Sequence, residues 1–131
     1  MLTIQRLLAL AAVLEGATGL ALMIVPAVVA QLLLAADLSA AGPLVARVAG
    51  CALVALGIAC WPDRDSARML IPAARAMFTY NALVACYLAY LGIGGHFAGV
   101  LLWPAVAIHG LISLLLLREL LKAPRSQDTK G

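Results

Sequence analysis

The sequence predicts an all-α integral membrane protein: a four-helix antiparallel bundle with both termini on the cytoplasmic side. Three observations carry the prediction. Of 131 residues, 65% are hydrophobic and 11% charged, and the mean hydropathy is +1.06. Soluble domains carry about 25% charged residues, and a chain with less than half that share cannot clothe its surface against water. Second, the apolar residues gather into runs of spanning length. Third, the basic residues fall on one side. With four spans, the N-terminus, the second connection and the C-terminus lie together, and they hold Arg6, Arg64, Arg68, Arg118, Lys122, Arg125 and Lys130. The first and third connections contain no Lys or Arg outside the spans. The positive-inside rule then puts both termini in the cytoplasm.

The first span is expected from Thr3 to Val25, with Pro26 ending or kinking it. Between those bounds its ionisable residues are Arg6, near the start, and Glu15, halfway along. A carboxylate at the centre of a span costs roughly 2.5 to 3.5 kcal/mol, so Glu15 is expected to face protein or water and to have a partner. Ala12, Gly16 and Gly19 form a small-residue face that lets a neighbour approach closely. The length of the run and the presence of Glu15 argue against a cleaved signal peptide.

Residues 27–42 include Gln31 and Asp37, and are too short and interrupted for a span; they are expected to be an interfacial or re-entrant piece. The second span runs from Leu44 to Trp61, with Arg47 a turn inside and Gly50 and Gly57 on a small-residue line. A charged connection, Pro62 to Arg68, precedes the third span, Met69 to Leu91. That span carries Pro72 near its start, where a missing amide hydrogen costs least, followed by Arg75, Thr79, Tyr80, Asn81, Tyr87 and Tyr90. Gly92 to His96 is a tight turn. The fourth span, Phe97 to Leu117, carries Trp103, Pro104, His109 and Ser113. Residues 1–123 thus form one transmembrane domain, and 124–131 a flexible cytoplasmic tail.

Helical rise converts these positions into depth. Measured from the outer boundaries, Glu15 lies about 15 Å down, Asn81 about 15 Å and His109 about 18 Å, whereas Arg47 lies only about 5 Å down. Three polar residues from three helices therefore share a layer. The candidate polar cluster is Glu15, Arg47, Asn81, His109, Ser113 and Thr18, with Glu15 as acid/base or counter-ion, His109 as its partner, Asn81 as orienter and Arg47 near the outer mouth. The same layer can be read instead as a clamp that fixes helix packing.

Other chemistry is excluded by pattern. There is no phosphate-binding loop, nucleophile elbow, HExxH or paired-carboxylate signature, and no basic arm for nucleic acid. His96 and His109 stand thirteen residues apart, about 20 Å on one helix, too far to share a metal or haem; no metal site is expected. Cys51, Cys60 and Cys86 lack CxxC spacing and are expected to be small buried hydrophobes. Cys51 and Cys86 come out at similar depth, which permits a redox pair if the second and third spans touch. Arg75 is expected to snorkel to headgroups, and Trp61, Trp103, Tyr87 and Tyr90 to form interfacial belts.

The Gly-rich first span followed by Pro26, the Arg47-Val48-Ala49-Gly50 run with Gly57 in the second span, and the basic tail after the fourth together resemble the DoxX-like superfamily of small bacterial four-helix membrane proteins. The sequence departs from that pattern in lacking a lysine after Gly16 and Gly19. The resemblance implies residence in a bacterial inner membrane and a role as an accessory or assembly subunit of a membrane complex, including quinone-linked oxidoreductases. The leading functional expectation is therefore a non-catalytic accessory, assembly or scaffold subunit, with a protein partner or a homo-oligomer besides the lipid bilayer. The alternative is an intramembrane site for a lipophilic small molecule such as a quinone, with Glu15 and His109 exchanging protons. A third reading is an oligomeric proton or small-solute pathway. No resident cofactor is expected.

Overall fold

The computed structural model describes residues 3–62 and 69–122. It contains helices α1 (Ile4–Ile24), α2 (Pro26–Leu34), α3 (Gly42–Ala59), α4 (Leu70–Ile93) and α5 (Leu102–Lys122). All but α2 are long and apolar enough to cross a membrane. Large apolar side chains stand exposed in the middle of these helices, among them Leu10, Val48, Leu83, Leu111 and Leu114. Such a surface is incompatible with water and suited to acyl chains.

Local chemistry sets the element ends. The Thr3 hydroxyl accepts from the Arg6 amide and opens α1. Pro26 closes it and becomes the first residue of α2, where its missing N–H costs nothing. The interfacial piece expected over 27–42 is thus a nine-residue helix followed by non-helical chain to Ala41. Its end at Ala35 is left-handed, with φ 52°, a position glycine usually fills.

The fourth span differs from its expected bounds: it begins at Leu102 rather than Phe97 and continues to Lys122 rather than Leu117. Gly95, at φ 72°, and the closely packed Gly99 keep the chain out of a helix up to that point. At the other end, good helix formers and the Lys122–Glu119 ion pair at 2.8 Å carry α5 a turn further. Residues 63–68 and the tail 124–131, with Arg64, Arg68, Arg125 and Lys130, lie outside the described residues.

The helices pack unequally. α1 lies against α3 on one flank and against the α4/α5 hairpin on the other. α3 touches α1 and α2 but makes no substantial contact with α4 or α5. The glycines explain the α1/α3 seam. A Cβ on Gly50 would sit 2.5 Å from the Gly19 carbonyl oxygen, and one on Gly57 would sit 2.8 Å from that of Ala12. The two backbones are in contact, so only hydrogen fits between them. As α1 runs from Ala12 to Gly19, its neighbours on α3 run from Gly57 to Gly50, so these two helices run in opposite directions.

The packed core lies toward the N-terminal end of α1, where Leu7, Leu8, Ala11 and Ala12 meet Cys60, Ala74, Met77 and Leu116. At the opposite end, α2 lies across α1, α3 and α5. It is held there by a hydrogen bond from the Leu101 amide to the Leu32 carbonyl, 2.8 Å, and by Gly99 pressed onto the Leu32–Leu33 backbone.

Candidate functional site

Three helices bring the polar layer together. Glu15 on α1 and Asn81 on α4 are fully buried, each 0% exposed. His109 on α5 lies between them: its Nδ1 is 2.7 Å from Asn81 Oδ1 and 3.6 Å from Glu15 Oε1. Asn81 is oriented from its own helix, its Nδ2 donating to the Met77 carbonyl at 3.0 Å. Ser113, buried one turn beyond His109, donates to the His109 carbonyl at 2.8 Å. Thr18, one turn beyond Glu15, donates to the Leu14 carbonyl at 2.9 Å. These local bonds satisfy the hydroxyls inside a medium that offers no water.

Glu15 is the exception. Neither of its carboxylate oxygens has a hydrogen-bond partner, and both are shut away from solvent. The Tyr80 hydroxyl and the Asn81 amide approach the carboxylate without reaching hydrogen-bond geometry. An orphaned buried acceptor costs about 1–3 kcal/mol, more if charged, so this side chain is held in place by the packing around it at a cost to stability.

Two placements correct the expectations from sequence. Arg47 does not join the cluster. It is exposed, and its Nε donates to the Met23 carbonyl at 3.1 Å. The last carbonyls of α1 are left open where Pro26 breaks the helix, and a cation one turn inside α3 is drawn to them. Met23 is eight residues from Glu15, about 12 Å along the axis. The thiols are the second correction: Cys60 alone is buried, whereas Cys51 and Cys86 are free and exposed. They cannot form a pair, because α3 and α4 do not pack together. A small polarisable side chain is equally at home against lipid. The four residues expected at the interfaces, Trp61, Trp103, Tyr87 and Tyr90, are all exposed on the bundle surface.

Above the polar layer the bundle is hollow. A cavity of about 450 Å³ is lined by Leu14, Thr18 and Leu22 of α1, Leu53 of α3, Tyr80, Val84 and Leu88 of α4, and Ile108 and His109 of α5. Val29, Leu32 and Leu33 of α2 form its roof. Tyr80 and His109 mark its floor, with their rings edge to face at 6.1 Å and 75°. An apolar chamber with a few convergent polar groups at one end is the usual form of a small-molecule site, and this volume lies within the usual 300–1,000 Å³. Tyr80 was absent from the sequence-derived cluster. It precedes Asn81 by one residue, and helical neighbours normally point to different faces; a long phenol reaching around a wide helix face leaves no periodic signal.

Two smaller hollows differ in kind. One, about 140 Å³, lies beside Cys60 and Trp61. The other, about 350 Å³, follows Ala12, Gly16 and Gly57 along the α1/α3 seam. Among the described residues, neither is lined by a carboxylate, an amine or a histidine. No group of three or more potential metal ligands occurs among the described residues, and His96 is exposed in the loop between α4 and α5, away from His109.

No protein-family model, curated protein or solved structure matches this chain. What can be said of its class is that it is an all-helical protein with four candidate membrane spans and one polar-floored chamber among them.

Proposed function

We propose that this protein binds a lipophilic small molecule, such as a quinone, within the membrane, and that Glu15 and His109 hold and exchange a proton beneath it. The proposal includes an antiparallel four-span topology in a bacterial inner membrane with both termini cytoplasmic, as the distribution of Lys and Arg implies. The observation that carries the reading is the orphaned Glu15 carboxylate, 3.6 Å from a histidine that lines the cavity. A packing clamp works by satisfying every donor and acceptor it buries, and it needs no ionisable group. A carboxylate kept without partners next to a titratable ring is better suited to moving charge than to gluing helices.

The test is binding of an alkyl quinone and an alkyl phenol to the purified chain in lipid nanodiscs, compared with Ala105→Phe. Ala105 lines the cavity wall on α5, and a phenyl group there intrudes into the space beside His109. Saturable binding of either probe, lost in the variant, supports the reading; binding unchanged by the variant, or no binding of either, overturns it.

The accessory-subunit reading is retained for one reason. Among the described helices, α3 packs substantially against α1 and α2 alone and presents Val45, Val48 and Ile58 outward, a flank that a partner helix would cover. Copurification of a larger complex under mild detergent, abolished by Val48→Trp, tests it.

A further inference from the structure

The hydrogen bonds around Asn81 determine which face of His109 is offered to a ligand. The Met77 carbonyl can only accept, so the amide atom 3.0 Å from it is the nitrogen, and Asn81 Oδ1 faces the imidazole. An oxygen acceptor 2.7 Å from Nδ1 requires the proton on Nδ1, and the neutral ring then carries its free lone pair on Nε2. Nε2 has no hydrogen-bond partner among the described residues, and His109 lines the cavity.

A second polar group at the cavity has the same polarity. Thr18 commits its hydrogen to the Leu14 carbonyl and keeps only lone pairs for the cavity.

Resting on the ligand-cavity reading above, we infer that the chamber selects amphiphiles whose head group donates a hydrogen bond, that is, an alcohol, a phenol or a hydroquinone, over the same molecules with the hydroxyl masked or replaced by a carbonyl. A donor head gives its hydrogen to Nε2. A carbonyl or ether head sets lone pair against lone pair there and leaves Nε2 unpaired, which is the arrangement that discriminates most strongly between analogues. Of the quinone class, the reduced form is the one the floor fits.

The experiment compares para-nonylphenol with its methyl ether, para-nonylanisole, on the full chain in nanodiscs. The two share shape and apolar area and differ in one hydrogen. The phenol is expected to bind at least about tenfold more tightly, and His109→Phe is expected to erase that preference while the ether still binds. Equal binding of the two probes overturns this inference and leaves the cavity reading standing; failure of both probes overturns both. A second measurement is independent of ligand and of any variant at the site. Nitrogen NMR of labelled histidine, in a His96→Gln background, is expected to show His109 protonated at Nδ1 and bare at Nε2. The opposite tautomer overturns the inference.

Discussion

The two ends of the bundle are built from the same kinds of residue and differ in how well they are filled. At the end bearing the N-terminus of α1, Leu8, Met77 and Leu116 are all 0% exposed, and Ala11 and Ala74 let the backbones close around them. At the end under α2, Leu14, Leu22, Val84 and Leu88 surround about 450 Å³ of space. The polar residues lie where one regime passes into the other: Met77 is one helical turn before Asn81, and Val84 about one turn after it. The comparison indicates that stability and ligand capacity are housed in separate halves. The packed half carries the cost of an orphaned carboxylate, and that leaves the hollow half available to a guest.

The largest effect that separates the halves is expected from paired truncations. Leu116→Ala should destabilise by about 2–5 kcal/mol, because its side chain is fully buried in the packed core and borders none of the hollows. Leu14→Ala, at a wall that already borders a void, should cost less than half as much, since fewer contacts are lost. Reversible unfolding in mixed micelles measures both; equal losses would erase the distinction. The second effect lies along the α1/α3 seam. Gly57→Ala drives a methyl into the Ala12 carbonyl and should cost about 1–3 kcal/mol, whereas a Cβ on Gly16 meets nothing within 4 Å, so Gly16→Ala should be neutral in the same assay. The smallest effect is expected at the boundary itself. Glu15→Gln keeps the shape and removes the charge, and should change stability by less than about 1 kcal/mol, in the stabilising direction, because the amide can donate where the carboxylate cannot. A loss of several kcal/mol would mean instead that the carboxylate is part of a satisfied clamp.

Much of this was legible in the sequence. Arg6, Glu15 and the terminal prolines and glycines place three of the four spans to within about a turn, because hydropathy and helical rise are properties of each segment alone. The heights of Glu15 and Asn81 followed by the same arithmetic, whereas that of His109 was counted from Phe97, ahead of the helix that begins at Leu102; the Gly19/Gly50 and Ala12/Gly57 seams were present as unpaired small-residue lines. The start of α5 was not legible, since Gly95 and Gly99 depart from the helix for reasons of turn geometry and of packing against α2. Arg47 was misplaced because its depth is local but its partner is not: the open carbonyl of Met23 exists only because α1 stops where α3 passes.

What the amino-acid sequence determined by itself is therefore the medium, the number and length of the long helices, and the level at which the polar side chains of the first and third spans sit. The tertiary structure alone decided the rest: that α3 stays to one side, that α2 lines one end of a cavity, that Tyr80 joins His109 at the other, and that the Glu15 carboxylate is enclosed without a hydrogen-bond partner. Level is a property of one helix and is written in residue spacing, whereas direction around the axis acquires meaning only when a second helix is present to be faced.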